Sequence, residues 1–356
     1  MRIIQAMPAI DYGDAVSNDA LAIQRILREA GFSTGIYAEG RGVRLPVGSA
    51  NSIHRMPYLH DDDIMLYHAS TGSKLNGKIR DYGGQLVVWY HNITPAEYFY
   101  AYSRKMYRLL ETGYGEIAAL APHADYAVAD SEFNRKDLIR MGYQCDIDVI
   151  PIAIPWDDYD LPDDPEILEK YGKEETRNIL FVGRIVPNKK QENLIRAFGV
   201  YTYRYQPDAR LILCGSDIGL DQYGKHLKEY AKALGLEDKV VFTGHISFQS
   251  MLTLYKMSDI LLCLSEHEGF CVPVVEAMHF GLPIVAYDSC AVGATMGQGG
   301  VRLTTRDPDV IAAAIHRVVE DHSLRDWIRE RQKEEMKKYR FPVIRDQILA
   351  TIQKLI

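Results

Sequence analysis

Apolar runs of strand length alternate along most of the chain with segments whose apolar residues return at helical spacing. Buried strands separated by amphipathic helices are typical of parallel sheets covered by helices on both faces. The pattern forms two series. The predicted strands are 2–7, 33–38, 63–69, 85–91, 126–129 and 148–152 in the first, and 178–185, 210–214, 239–243, 259–264, 283–287 and 301–303 in the second.

Helices are predicted between and after these strands, at 17–30, 95–110, 131–141, 191–205, 221–234, 247–257, 272–280, 307–320 and 323–338. A stretch rich in proline and aspartate, 151–173, predicts a linker with turns and a short exposed helix. We therefore predict a first domain over 1–160, a second over 161–340, and a helix over 341–356 that packs back on the first. Both domains would be Rossmann-like and doubly wound, facing each other across a cleft that binds the ligand.

Composition narrows the class of protein. With 47% hydrophobic and 25% charged residues and a net charge of -7, the chain reads as a globular protein without a nucleic acid partner. Its five cysteines are scattered, without metal-ligand spacing. No signal peptide and no apolar stretch of membrane-spanning length is recognised, so we expect a cytoplasmic location. The predicted helix at 95–110 mixes aromatic residues with Arg104, Lys105 and Arg108, and could rest peripherally on the inner face of an anionic membrane or simply expose its cations to solvent.

The strongest motif is SEHEGFCVPVVEAMHFG at 265–281, between two predicted strands. Pro273 favours a helix start, so the backbone N–H groups of Gly269, Phe270 and Cys271 would lie at the positive helix end, which suits a phosphate. Glu268 in the loop and Glu276, expected in the first helical turn, can accept hydrogen bonds from sugar or ribose hydroxyls. Taken alone, such carboxylates could instead be solvated or complement the helix dipole.

A second motif, FVGRIVPNKKQ at 181–191, runs from a strand through a loop into a helix. Gly183 allows a ligand close to the backbone, and Arg184 and Lys189 could neutralise a diphosphate, including the charge that grows on a leaving group. A solvated basic loop is the other interpretation.

Together the two motifs resemble the retaining GT-B glycosyltransferases of the family-4 type, also called glycosyl transferases group 1. The spacing of Arg184 to Lys189 and of Glu268 to Glu276 matches, specifically over 178–288 and weakly elsewhere. The resemblance implies that Arg184 and Lys189 bind the donor diphosphate, Glu276 holds the ribose and Glu268 the transferred sugar. It also places His245 and Ile246 near the base, and implies a hexose transfer, with mannose favoured, to a saccharide or lipid-linked acceptor in cell-surface polysaccharide synthesis.

Two residues depart from the family pattern. Cys271 and Lys190 stand where the family has glycine. Backbone contact with a phosphate would survive at Cys271 unless that position needs a positive φ.

The first domain carries fewer signals. Gly13 and Asp14 follow the first strand, with Ser17 or Asn18 predicted to cap the next helix, and the resemblance places this loop beside the donor or the acceptor. His91 and His68 come at the ends of two strands, where polar side chains face the crevice, and the resemblance makes His91 a sugar contact. An ordinary turn and core histidines are the alternatives.

The run of aspartates at 61–63 precedes a strand instead of following one, so we read it as a solvated turn and expect neither a metal ion nor another cofactor. A nucleotide-dependent oxidoreductase and a non-catalytic nucleotide-sugar-binding module remain as alternatives. The first lacks a GxGxxG fingerprint after a strand, and the second would not need Glu268 and His91.

Overall fold

The structure, a computed structural model, describes residues 1–11, 13–42, 45–172 and 175–356. Tyr12, in the predicted turn after the first strand, and Lys173, at the end of the predicted linker, lie outside the described residues. The chain forms two compact units. The first comprises Met1–Glu97, Arg104–Trp156 and Lys338–Ile356, and the second Tyr98–Ser103 and Asp157–Lys337.

The first unit is built on a parallel sheet of seven strands in the order β3-β2-β1-β4-β5-β6-β7. The strands are β1 (Arg2–Ile10), β2 (Ser33–Arg41), β3 (Asn51–Ser52), β4 (Leu59–Ala69), β5 (Gly83–Tyr90), β6 (Tyr126–Ala129) and β7 (Ile147–Val149), and the helices between them are α1 (Ala15–Glu29), α2 (Arg104–Ala118) and α3 (Glu132–Arg140). From β1 the chain builds one half of the sheet and then returns to β4 on the other side. This reversal is the switch point at which doubly wound sheets bind ligands.

The second unit repeats the arrangement with six parallel strands in the order β10-β9-β8-β11-β12-β13. Its strands are β8 (Arg177–Val182), β9 (Ala209–Cys214), β10 (Val240–Gly244), β11 (Ile260–Cys263), β12 (Ile284–Tyr287) and β13 (Val301–Leu303). Its helices are α4 (Pro165–Tyr171), α5 (Gln191–Arg204), α6 (Asp221–Ala233), α7 (Phe248–Met257), α8 (Val272–His279), α9 (Val292–Met296), α10 (Pro308–Glu320) and α11 (His322–Glu335). Here the switch point lies between β8 and β11.

The last helix, α12 (Phe341–Leu355), belongs to the core of the first unit. Ile344, Ile348 and Ile352 recur every four residues on one helical face, and each is at most 1% exposed. They pack in one cluster with Trp89 of β5 and Ile26 of α1, among others. Since full burial of an isoleucine stabilises by roughly 1.5–3 kcal/mol, this helix is an integral part of the unit.

The structure differs from the local predictions in two respects. The helix predicted at 95–110 has other bounds: a 3-10 turn at Ala96–Phe99 precedes α2, which begins at Arg104 and runs on to Ala118. Inside α2, a Cβ at Gly113 would lie 2.3 Å from the backbone nitrogen of Gly72, so this glycine permits close packing. The short elements β3 and α9 were not predicted.

The aspartate run at 61–63 is also not a solvated turn, because it lies within β4. Asp63 is 2% exposed and accepts hydrogen bonds from the Arg2 guanidinium, at 3.0 Å from Nε, and from the Arg2 backbone nitrogen, at 2.6 Å. The hydrogen bond from Arg2 holds the pKa of the Asp63 carboxyl well below its usual range. In the described part of the chain, no helix combines the length and the apolar character needed to cross a membrane.

Candidate functional site

Most of the predicted donor-binding residues of the second unit follow its two central strands, β8 and β11, which pair in parallel at the switch point. The loops after these strands are joined by backbone and side-chain hydrogen bonds. Glu266 donates its N–H to Asn188 O at 2.8 Å, and Asn188 Nδ2 donates to His267 O at 3.0 Å. Asn188 is 3% exposed, so this connection is part of the packed structure and fixes the two loops against each other.

Lys189 and Glu268, one from each loop, form a buried ion pair. Lys189 Nζ donates to Glu268 Oε1 at 2.5 Å, and the two side chains are 19% and 10% exposed. Burial by itself would lower the pKa of Lys189, but the charge of Glu268 and the neighbouring thiols of Cys271 and Cys263 raise it above its usual value. Lys189 is therefore firmly cationic beside an acidic side chain.

Two buried cysteines lie beside this ion pair. Cys263 Sγ and Cys271 Sγ are 3.9 Å apart, and both residues are 5% exposed. With Glu268 they place two sulfurs and a carboxylate oxygen within 4.8 Å of one another, close enough for the three to hold a soft metal ion.

Gly183 and Arg184 follow β8 as predicted. Gly183 has φ +147°. Its carbonyl oxygen lies 1.9 Å from the position that a Cβ on Gly215 would take, so a side chain at Gly215 would clash with the backbone of Gly183. Arg184 is exposed, in contrast to Lys189. The carboxyl edge of β8 thus carries one exposed cation, Arg184, and one cation held in an ion pair, Lys189.

The two residues that replace family glycines both have left-handed backbone conformations. Cys271, the N-cap of α8, has φ +79°, and Lys190, the N-cap of α5, has φ +56°. Such angles cost a non-glycine residue about 1 kcal/mol or more. The chain therefore retains the loop shape that the glycines would give, at a cost in stability. Neither helix start has a side-chain cap.

Glu276 lies beyond the first turn of α8, contrary to the prediction. It is 5% exposed and accepts hydrogen bonds on both oxygens, from Tyr159 at 2.7 Å and from Tyr255 at 2.6 Å. Burial raises the pKa of the Glu276 carboxyl, while the two hydrogen bonds lower it. Because each carboxylate oxygen has two lone pairs, both can still accept from a ligand hydroxyl. At the end of β10, Gly244 has φ +66°, His245 is exposed and Ile246 is half-buried.

In the first unit, Gly13 is exposed with φ +82°, and Asp14 is the N-cap of α1. Asp14 Oδ2 accepts from Ser17 N at 3.1 Å and Ser17 Oγ at 2.9 Å, so the prediction of Ser17 or Asn18 as N-cap is wrong. Asp14 is thereby oriented by its own helix.

His68 and His91, predicted at two strand ends, form a buried hydrogen-bonded chain. His68 Nε2 lies 2.8 Å from Gln5 Oε1, His68 Nδ1 lies 2.8 Å from His91 Nε2, and His91 Nδ1 lies 2.9 Å from Asp130 Oδ2. With Gln5 Oε1 and Asp130 Oδ2 as acceptors at the two ends, the three contacts need three N–H donors, so one of the two histidines carries both ring protons.

The pKa values of the two histidines are shifted in opposite directions. Burial lowers the pKa of His91, but the charge of Asp130 and the hydrogen bond to it outweigh burial and raise that pKa. Burial lowers the pKa of His68 well below its usual value. The pKa of His91 is thus raised and that of His68 lowered, and both nitrogens of His91 are hydrogen-bonded.

Sequence reasoning missed Tyr159, Tyr255, Asp130 and Asp19. Asp130 directly follows β6, so the strand-end rule that selected the two histidines would have found it. Asp19 and the two tyrosines come from helices or a linker, where no local signal marks them.

The fold and these sites define a class: two Rossmann-like domains of the GT-B type, each with polar side chains at its switch point. Residues 163–335 match the family described as Glycosyl transferases group 1. The resemblance of the sequence to that family is confirmed.

Individual relatives and a solved structure are also similar to this chain. An uncharacterized glycosyltransferase of Methanocaldococcus jannaschii is 32% identical over 46% of this chain and 41% of its own length. Mannosylfructose-phosphate synthase of Agrobacterium fabrum is 35% identical over 33% of this chain and 27% of its own length. The chain thus spans less than half of these relatives. The crystal structure of Anabaena HepE in complex with UDP-glucose has a TM-score of 0.79 and 20% identity, covering 99% of this chain and 100% of that one, which shows the shared fold.

Proposed function

We propose that the chain is a retaining glycosyltransferase that moves a hexose from a nucleotide-diphosphate sugar to a saccharide or lipid-linked acceptor without a metal ion. The observation that carries the proposal is the Lys189–Glu268 pair, which places a fixed cation and a carboxylate beside the start of α8. The match of 163–335 to the glycosyl transferases group 1 family supports it.

In the proposed donor complex, Lys189 and Arg184 neutralise the diphosphate together with the backbone at the start of α8. Glu276, held by two tyrosine hydroxyls, accepts from the ribose hydroxyls. Glu268 accepts from hydroxyls of the transferred sugar, and the turn at His245 and Ile246 adjoins the base. The predicted donor or acceptor contacts of the first unit are those of Gly13, Asp14, His68 and His91.

In the reaction, the bond between the anomeric carbon and the diphosphate oxygen breaks, and its electron pair leaves with the nucleoside diphosphate. The acceptor oxygen forms its bond on the same face of the sugar, and its proton passes to the departing phosphate. Lys189 and Arg184 lower the barrier because they stabilise the charge that grows on the leaving group.

Mannose is the first candidate sugar, since a relative is named mannosylfructose-phosphate synthase. UDP is a candidate carrier, since a structural neighbour was solved with UDP-glucose. We place the reaction in cell-surface polysaccharide synthesis at the cytoplasmic face of the membrane.

The test is a screen of UDP-, GDP- and ADP-linked hexoses, by thermal stabilisation and by sugar release in the presence of EDTA. We expect one donor to stabilise the protein and to be turned over. Glu276→Ala should weaken donor binding, Arg184→Ala should mainly lower kcat, and Lys225→Met, which changes an exposed pair with Glu229, should leave both unchanged. Binding without turnover would point to a binding module. Stabilisation by a nicotinamide dinucleotide alone would refute the proposal.

A further inference from the structure

A cluster in the first unit has the arrangement of metal ligands whose orientation is fixed by hydrogen bonds from neighbouring residues. His68 of β4, His91 after β5 and Asp19 of α1 each have one polar atom held by a residue outside the cluster. His91 Nδ1 is held by Asp130 Oδ2 at 2.9 Å, and His68 Nε2 by Gln5 Oε1 at 2.8 Å. Metal-binding histidines commonly donate their second ring N–H to a carboxylate or carbonyl in this way, which fixes the ring and its tautomer.

Asp19 is held similarly, because its Oδ1 accepts from the backbone nitrogen of Ala153 at 2.7 Å. Its other oxygen, Oδ2, is buried and has no hydrogen-bond partner within the described parts of the chain. The residue is 1% exposed. A buried carboxylate oxygen without a donor is costly and requires a cation or a proton.

The three remaining atoms converge. His68 Nδ1, His91 Nε2 and Asp19 Oδ2 supply one ligand atom each, and all lie within 4.8 Å of one another. The two nitrogens are 2.8 Å apart. Tetrahedral Zn²⁺ with bonds of about 2.0–2.1 Å separates its ligand atoms by about 3.3 Å, so side-chain shifts of about 1 Å complete the geometry.

We propose that His68, His91 and Asp19 bind one Zn²⁺ ion, with Gln5, Asp130 and Ala153 orienting the three ligands. Two imidazoles with one carboxylate favour zinc over magnesium or calcium, which prefer oxygen ligands. The ion replaces the proton shared by the two histidines. A dication also balances the carboxylates of Asp19 and Asp130. The site joins α1 to the ends of β4 and β5.

The second group of possible ligands, Cys263, Glu268 and Cys271, requires a control, because it could bind zinc independently. The experiment therefore uses the full chain with Cys263→Ser and Cys271→Ser as the reference protein. After removal of metals with a chelator, Zn²⁺ is titrated, and bound metal is counted by mass spectrometry. Co²⁺ serves as a spectroscopic probe, since tetrahedral nitrogen and oxygen ligation gives visible absorption without thiolate charge-transfer bands.

We expect the reference protein to bind one Zn²⁺ and its thermal unfolding midpoint to rise with Zn²⁺ concentration. Asp19→Asn should abolish both effects, and Asp130→Asn should weaken binding roughly 10- to 100-fold. His123→Gln, at an exposed histidine of the same unit, should change neither. Circular dichroism shows whether each variant is folded. The proposal is overturned if the folded reference protein binds no stoichiometric zinc, or if Asp19→Asn and His123→Gln bind it equally.

Discussion

Removing the cation of the buried Lys189–Glu268 pair should strongly destabilise the second unit. Lys189→Met keeps most of the side-chain volume but leaves the carboxylate of Glu268, 10% exposed, without its partner at 2.5 Å. At an effective dielectric constant of 20, two unit charges 4 Å apart attract by about 4 kcal/mol, and this pair is closer. Breaking a buried pair typically costs about 3–5 kcal/mol. Because Lys189 keeps a fifth of its surface exposed, we expect a loss of about 3 kcal/mol.

The free energy of unfolding would be measured by urea denaturation, with hydrogen exchange of peptides from β8 and β11 as the local readout. The matched control is Lys225→Met, whose pair with Glu229 is 3.7 Å long and whose side chains are 78% and 67% exposed. Such pairs contribute at most about 0.5 kcal/mol.

A double-mutant cycle with Glu268→Gln separates the interaction from general damage. The double variant should lose less stability than the sum of the two single variants, by at least about 1.5 kcal/mol. If Lys189→Met behaves like Lys225→Met, or if the single losses add, the pair is not the desolvated interaction described above.

Three further predictions follow from contacts in the two units. Tyr255→Phe removes a hydrogen bond to the buried Glu276 and should lower the free energy of unfolding in urea by about 2 kcal/mol. It should also raise the KM for the donor more than it changes kcat. An unchanged free energy of unfolding together with an unchanged KM would contradict this role. Cys271→Gly places glycine at a residue with φ +79° and should change the free energy of unfolding by less than about 1 kcal/mol. Cys271→Val places a β-branched residue there and should lower it by more than about 2 kcal/mol. If the valine variant melts at a higher temperature than the glycine variant, backbone strain is not the cause. Burial favours the neutral form of Asp148, but hydrogen bonds, led by the one from Lys354, lower its pKa on folding. The stabilisation from Asp148 is therefore present above the unfolded pKa of about 3.9 and is lost as the pH falls through the folded pKa. The free energies of unfolding of wild type and Asp148→Asn should differ by at most about 1 kcal/mol near pH 6 and converge below about pH 3.

Most of the fold could be predicted because its strands are buried and its helices amphipathic. Thirteen strands form the two sheets, and twelve of them correspond to predicted strands. The failures have identifiable causes. The helix α2 extends past the predicted end at 110 and includes Gly113, which packs against the backbone of Gly72, a contact between residues distant in sequence. The strand β3 has only two residues and is too short to produce a pattern.

The candidate donor site could be predicted in part because its residues lie in two short motifs. The pairing of Lys189 with Glu268 could not, since it depends on the adjacency of β8 and β11. The same holds for Tyr159 and Tyr255, which meet Glu276 from 117 and 21 residues away. The possible need for positive φ at Cys271 was recognised from the sequence, but its actual conformation required the structure.

The place of α12 in the first core has a consequence for synthesis of the chain. Residues up to Trp156 leave the ribosome first, yet the isoleucines that close their core arrive only after the whole second unit has been translated. The second unit can therefore fold while the first still exposes apolar surface, reversing the usual N-terminal-first order. For the same reason, a fragment ending at Lys337 would lack part of a hydrophobic core and aggregate, whereas a circular permutant that joins the last helix to the start of β1 would keep the first unit in one piece.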